Sequence, residues 1–307
     1  GASAIQFVPR LAKEVKSLRV FQRSPNWIMR KRDREIRGRE RSLLERIPLA
    51  RRLYRFATFL IFESRLAVFY RASPAGWALK KYLSRYRRRR VRGEELAEQL
   101  TPDFPVGCKR ILLSSDWFKT LQLPQVSVDS TGAERLRENA VVGGAGESFD
   151  TDVVIYATGF ESTNFLAPIQ IEGRGGVDLR RGWNHGAEAY LGMTVAGFPN
   201  FFVLYGPNTN LGHNSIVIML EAQARYIGRL LAKMKHKGLK TVEVKEDVQE
   251  RFNKRIQKQA GKTVWISNCE NWYTNAEGKL VNNWPYSTGR YLLETRVPRE
   301  KNFRFQE

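Results

Sequence analysis

Apolar residues Ile5, Val8, Leu11, Ala12 and Val15 recur at three- and four-residue spacing, which predicts a helix over Ser3–Lys16. Ser17–Gln22 then alternates apolar and polar positions as a strand does. From Asn26 to Leu100 the spacing is again helical, as in Leu53, Phe56, Phe59, Leu60, Glu63, Leu66 and Phe69. Pro48 and Pro74 divide this stretch into two or three helices. Beyond Pro105 the pattern changes to short apolar runs bounded by turn residues. These predict strands at Arg110–Leu113, Val126–Val128, Val141–Val142 and Val153–Tyr156, with Gly143–Gly146 as a turn. Phe201–Tyr205 reads as a fully buried strand, Asn214–Lys235 as an amphipathic helix with Ile218, Ala222 and Ile227 on its apolar face, and Val248–Gln259 as another helix. A Trp- and Asn-rich tail follows, without regular pattern, and no internal repeat is evident. Alternating helices and strands of this kind predict an α/β fold.

A chain of 307 residues with 42% hydrophobic content has room for about two domains and their cores, which excludes collagen-like, mini-protein and fully disordered classes. The charge is uneven. Between Arg30 and Arg92 there are 21 Lys and Arg against 5 Asp and Glu, so this stretch supplies most of the net +21. An anionic partner is therefore expected, and peripheral membrane contact through the basic helices stays open. Nucleic acid is not expected, because Tyr54, Phe56, Phe59, Phe62, Phe69 and Tyr70 lie beside Leu and Ile at helical spacing, the pattern of a core or partner surface. The Arg87–Arg90 run reads as solvated charge.

Cys108 and Cys269 are too few for a disulfide framework or a cysteine zinc site and read as buried small residues. The expectation is a reducing, cytoplasmic setting. His185, His213 and His236 lack metal-ligand spacing, so no metal is expected. The longest uncharged run, from Ala189 to the edge of Glu221, contains Pro199 and Pro207 and cannot form one spanning helix. There is no signal peptide pattern at the N-terminus, and the chain does not begin with Met.

Two features carry candidate chemistry. Gly1-Ala2-Ser3-Ala4 opens a helix that leads to a strand ending near Arg23. A glycine there lets backbone approach a pyrophosphate, and the free N–H groups of the helix N-terminus face the anion. The same residues also suit an ordinary helix start. Arg23-Ser24, just past the strand, places a cation and a hydroxyl where the ribose 2′-phosphate of NADP would be read.

Several segments occur together in order: Ala4–Pro9, Val20–Trp27, Phe104–Arg110, Ala157–Phe160, Gly197–Asn200, Gly206–Thr209 and Asn271–Tyr273. This ordered set, spread from Gly1 to about Arg296, resembles the flavin-containing monooxygenases of Baeyer–Villiger type. The resemblance implies a two-domain Rossmann-like fold that binds FAD and NADP. It also implies an NADPH-dependent enzyme that inserts one oxygen of O2 into a ketone, or a soft heteroatom of a sulfide or amine, through a C4a-peroxyflavin. The related N- or S-oxygenating class is the alternative enzyme reading, and a non-catalytic fragment binding anionic partners through its basic helices is the other.

By the same resemblance, residues 1–27 and 106–156 form an incomplete NADP domain, 28–105 a basic helical insertion, and 157–307 the later part of an FAD domain. Arg110 matches the active-site arginine, whose permanent charge suits an oxyanion. Lys109 matches the residue that joins Arg23 and Ser24 on the 2′-phosphate. Gly1, Ser3 and Ala4 match the dinucleotide turn. Thr158-Gly159 resembles the linker between domains, Asn208, Asn214 and Ser215 match positions facing the flavin, and Trp272 one contacting NADP. A plain helix cap at Asn214 or Ser215 is the rival reading. Family members carry an FAD-binding GxGxxG turn and a fingerprint histidine ahead of the point where this sequence starts. The 307 residues alone are therefore expected to be inactive and marginally stable, with exposed strand edges.

Overall fold

The computed structural model describes residues 1–267 and 269–307. Along the chain come α1 (Ala4–Leu11), β1 (Leu18–Phe21), β2 (Ile28–Met29), α2 (Gly38–Arg46), α3 (Pro48–Glu63), α4 (Pro74–Arg88), α5 (Glu94–Gln99) and β3 (Leu112–Leu113). A short α6 (Trp117–Thr120) precedes β4 (Val126–Asp129), β5 (Ala133–Leu136), β6 (Ala140–Gly143) and β7 (Ser148–Asp150). The remainder holds α7 (Leu179–Gly182), α8 (Ile216–Lys237), β8 (Thr241–Val244), α9 (Glu246–Ala260), α10 (Thr288–Glu294) and β9 (Phe303–Gln306).

The chain divides into two compact units, Gly1–Glu35 with Pro74–Phe160, and Ile36–Ser73 with Glu161–Glu307. The helical stretch expected as one insertion is thus shared: α2 and α3 belong to the second unit, α4 and α5 to the first.

In the first unit β1 runs parallel to β4, pairing Leu18 with Val126 and Phe21 with Asp129. β2 runs parallel to β3. Parallel pairs need long crossovers, and α1 and α6 supply covering faces. Ile5, Val8 and Ala12 of α1 and its end pack with Trp117, Phe118 and Leu121 and with Val126 in one core. α1 closes at Leu11, short of the expected Lys16, because the following amides of Lys13 and Glu14 bond three residues back, to Arg10 and Leu11. β5, β6 and β7 form an antiparallel meander. The predicted glycine turn lies between β6 and β7, where Gly146 takes φ +85°.

Of the basic run, Arg88, Arg89 and Arg90 are exposed as expected, whereas Arg87 is buried and donates to the Leu100 carbonyl. The helix turns that side chain inward, where its guanidinium satisfies the end of α5.

The second unit is built on α8. Met219, Tyr226 and Leu230 meet Val242 and Val244 of β8, Phe252 and Ile256 of α9, and Trp284, Tyr291 and Phe303. β8 pairs antiparallel with β9. α8 and α9 match the predicted helices within a few residues.

Two predicted strands do not form. Phe201–Tyr205 holds only an isolated bridge between Thr194 and Phe202, and left-handed backbone at Asn200 (φ +58°) and Tyr205 (φ +58°) bends the chain at both ends of the run. Val153–Tyr156 has no regular structure and its four side chains are exposed, with no strand beside it among the described residues. An apolar run without a ladder partner is not a strand. Neither cysteine is a free thiol, so the structure gives no support to the reducing setting read from the low cysteine count. Cys108 is buried as expected, and Cys269 is only half-buried. No helix among the described residues is long and apolar enough to cross a membrane, and no metal-ligating cluster occurs among them.

Candidate functional site

In the first unit the pairing of β2 with β3 sets the geometry. The Leu112 and Ser114 amides donate to the Trp27 and Met29 carbonyls, which brings the residues ahead of β3 alongside those ahead of β2. A tight turn, Val106–Lys109, ends with Lys109; its Gly107 takes φ +88°, a backbone region glycine occupies without strain. The Trp27 indole donates to the Phe104 carbonyl and pins the approach to that turn. As a result Lys109 Nζ lies 2.9 Å from Ser24 Oγ, across 85 positions of sequence. The ammonium also sits 4.7 Å from the centre of the Phe104 ring, a cation–π contact that aims it without neutralising it.

Arg23 adjoins Ser24 and is exposed, its stem lying over Gly132, where a Cβ would come within 2.8 Å of Arg23 Cγ. A cation and a hydroxyl thus meet, with Arg23 next to the hydroxyl in sequence, a donor set suited to a phosphate monoester. Arg110 follows Lys109 and is exposed. Gly1, Ala2 and Ser3 are exposed at the start of α1, and Ser3 makes no side-chain cap, so the first amides of that helix are open to an anion. Thr158 and Gly159 lie in the exposed, irregular 153–160 segment. Gly159 has φ +112°, so its requirement for glycine is conformational; a Cβ there would meet nothing.

In the second unit the loop before α8 carries the other predicted residues. Asn208 is buried with φ +57°, and its side-chain amide donates to the Leu280 and Asn283 carbonyls at 2.8 and 3.3 Å. That amide holds the loop and is not offered to a ligand. Ser215 occupies the N-cap position of α8 without a side-chain cap bond, and it is exposed. Asn214 accepts from the Ser215 amide and donates to Glu63 at 2.9 Å. Trp272 is half exposed, its ring centre 5.4 Å from that of Tyr273, and its carbonyl accepts from Ser162 and Asn282.

The pattern reading missed a polar cluster behind this loop. Glu63, at the end of α3, accepts from Asn214, from the Gly289 amide at 3.2 Å, and meets His213 Nε2 at 3.4 Å; Thr288 Oγ1 is 3.2 Å from the same nitrogen. Burial alone would raise the Glu63 carboxyl, but these donors and His213 bring it below the usual carboxylate range. Burial pushes His213 below the usual histidine range despite Glu63. With Nε2–H directed to Glu63, Nδ1 of His213 is a buried acceptor without a donor. No local signal could have found Glu63, 150 positions from His213.

No protein-family model matches the chain. Curated proteins do. The chain is 38% identical over 298 residues to a Baeyer-Villiger monooxygenase of Pseudomonas aeruginosa, covering 96% of this chain and 56% of that protein. It is 35% identical to a Baeyer-Villiger monooxygenase of Streptomyces coelicolor (96% and 57%) and 35% identical to the FAD-binding monooxygenase ktnD of Aspergillus niger (99% and 51%). The chain therefore spans a little over half the length of the curated relatives it matches.

Among solved structures it resembles OTEMO in complex with FAD and NADP, at TM-score 0.85 and 22% identity, over 99% of this chain and 64% of that one. It also resembles an oxidized steroid monooxygenase bound to NADP, at TM-score 0.83 and 24% identity, over 100% and 65%. These likenesses show the fold: it is the α/β FAD- and NADP-binding fold of flavin monooxygenases, as the sequence predicted.

Proposed function

We propose, for a chain homologous over nearly all its length to Baeyer–Villiger-type flavin monooxygenases, that it carries the NADP-reading surface of an FAD- and NADPH-dependent monooxygenase. That enzyme would insert one oxygen of O2 into a small-molecule ketone, or a sulfide or amine. The observation that carries the reading is the meeting of Lys109 with Ser24 beside Arg23.

NADP fits these residues. Lys109 and Arg23 would hold the 2′-phosphate as cations and Ser24 as a hydroxyl donor, while the open amides of Ser3 and Ala4, with the Gly1 nitrogen ahead of them, suit its pyrophosphate. The 153–160 segment with Thr158 and Gly159 would carry the chain from this cofactor toward the flavin, so residues 1–27 and 106–156 serve NADP and 157–307 serve FAD. FAD would be met by the uncapped amides behind Ser215 at the start of α8, with Asn208 and Asn214 fixing the loop; Trp272 keeps the NADP-contacting role that the resemblance implies. When bound, the flavin supplies the oxygen chemistry. Arg110 supplies a charge that does not lose its proton at working pH and so holds an oxyanion without protonating it.

The test is calorimetric titration of the 307-residue protein with NADP and with NAD. Lys109→Ala and Arg23→Ala are each expected to weaken NADP about tenfold or more, near 1.4 kcal/mol, and to leave NAD within about twofold. Equal losses for both dinucleotides would remove the 2′-phosphate assignment. Arg110→Ala, in a flavin-loaded full-length enzyme, is expected to abolish oxygenation while NADP binding persists; unchanged turnover would remove its catalytic role.

A further inference from the structure

Three helix ends of the second unit meet at one carboxylate. α3 ends at Glu63, whose Oε2 accepts from the Asn214 side-chain amide at 2.9 Å and whose Oε1 accepts from the Gly289 amide in the first turn of α10 at 3.2 Å. Asn214 Oδ1 in turn accepts from the Ser215 amide at 2.8 Å, and Ser215 opens α8 without a side-chain cap of its own. The Ile218 amide reaches back to the Ser215 carbonyl at 3.2 Å, so the donors left at the start of α8 are the amides of Ile216 and Val217, which have no acceptor within the helix. The loop is braced from behind as well. His213 has no exposed side-chain surface, its Nε2 stands between Glu63 and Thr288, and its ring centre is 6.3 Å from that of Phe69, in the turn that follows α3. At Gly212 a Cβ would come within 2.9 Å of the same Phe69 ring.

We propose that Glu63 is a positioning residue for the start of α8: its carboxylate holds Asn214, Asn214 holds the Ser215 amide, and the Ile216 and Val217 amides are thereby fixed as the donors that meet FAD. This rests on the reading that FAD is met at the start of α8. Asn214 is a short relay with both ends of its amide in use, so a displacement of the carboxylate is passed to the first turn of the helix and is not absorbed by the loop. The relay is also charged. Burial works against the Glu63 carboxylate, but the Asn214, Gly289 and Thr288 donors bring it below the usual carboxylate range, while burial pushes His213 below its own, which leaves the cluster one negative charge at neutral pH. A neutral acceptor would satisfy the same donors at a smaller desolvation cost. A carboxylate in addition sets the field at the positive end of the α8 dipole. Glu63 therefore aims the amides and offsets part of the positive potential they present to the electron-rich end of a bound flavin.

The experiment titrates FAD into the apo form of the full-length enzyme, followed by flavin fluorescence, and measures the midpoint potential of the loaded form. Glu63→Ala is expected to weaken FAD about tenfold or more, Asn214→Ala to weaken it to a similar extent, and the double variant to lose little beyond either, because one residue acts through the other. Glu63→Gln keeps an acceptor for Asn214 and is expected to hold FAD within about threefold of wild type. Its loss of charge is expected to shift the flavin equilibrium about fivefold or more toward the reduced form, which a purely structural clamp would not do. FAD affinity unchanged in Glu63→Ala, additive losses in the double variant, or an unchanged potential in Glu63→Gln each overturn the proposal, and the last decides it alone where Glu63→Ala does not fold. Ile216→Pro separates the proposal from the reading beneath it. Proline is tolerated at the first helical position, Ser215 ahead of it is extended (φ −80°, ψ 126°), and the substitution deletes one of the open amides. It is expected to weaken FAD about fivefold. A loss there with none in Glu63→Ala overturns the positioning role alone, and no loss there overturns the FAD reading of α8 together with it.

Discussion

Helices α3 and α8 lie in the same unit and carry the same kind of apolar periodicity, yet α8 buries Met219, Ala222, Gln223, Tyr226, Leu230 and Met234 while α3 buries nothing. What separates them is what each helix is given to face. The inner row of α8 meets rings and strands from three directions: Tyr226 lies 6.3 Å from Phe303 between ring centres, and Gln223 bonds both the Tyr291 hydroxyl and the Tyr205 amide. α3 is held on one side, through half-buried rings and a few polar contacts, and turns its strongest stripe outward. Hydrophobic periodicity therefore specifies that a helix forms and which residues share a face, while tertiary neighbours decide whether that face becomes core.

The largest effect is expected where α8 is most enclosed. Leu230 is 1% exposed and sits against the β8 and α9 side chains of the main core. Leu230→Ala should cost about 2–5 kcal/mol in denaturant unfolding, through lost transfer energy and the cavity left behind. A loss no greater than that of an α3 stripe residue would show that α8 is not the organising helix and would erase the contrast.

How far this contrast could be read in advance differs between elements. β1 was legible from alternation, α8 and α9 from helical patterning, and β4 and β6 from short apolar runs between turn residues that do find ladder partners. Phe201–Tyr205 and Val153–Tyr156 were misread as strands because a short apolar run carries no information on whether a ladder partner exists, nor on left-handed bends such as those at Asn200 and Tyr205. β2, two residues long, is too short for any pattern. In the candidate site, Arg23-Ser24 was visible as a local motif. Its union with Lys109 depends on the β2–β3 pairing and could be expected only through the family resemblance. Glu63 was invisible, being one acid in a basic stretch whose partners lie far along the chain.

Glu63 also tests how α3 is attached. Its carboxylate satisfies Asn214 and the Gly289 amide, so Glu63→Ala leaves those donors, and His213, without their shared acceptor. A loss of about 1–3 kcal/mol is expected, the cost of stranding partly buried donors. If unfolding is unchanged, α3 is not anchored there.

A pH series probes the same attachment with a smaller expected effect. His213 is held below its ordinary value of 6.5 by burial, so below that pH the unfolded chain binds the proton more readily than the folded one. Stability should therefore fall as pH drops from about 6.5, before the loss due to Glu63, whose depressed pKa preserves its contribution until below its ordinary 4.5. Melting temperatures of wild type and His213→Gln across this range should converge at the acid end. A parallel pair of curves would mean that His213 binds its proton equally well in the folded and the unfolded chain, so that burial does not hold it down.

The smallest expected effect is the one most diagnostic of the comparison. Leu53 and Leu230 are both stripe leucines on helices of one unit, but Leu53 is 59% exposed. Leu53→Ala should change stability by no more than about 0.5 kcal/mol, since little apolar area is removed from a packed environment and alanine is the better helix former. A cost of 2 kcal/mol or more, on the order of a core truncation, would mean that α3 is covered in solution by protein, and the exposed stripe would then be part of a core. A near-zero cost would show that helical periodicity alone gives α3 no share in the core, while the same spacing in α8 builds it.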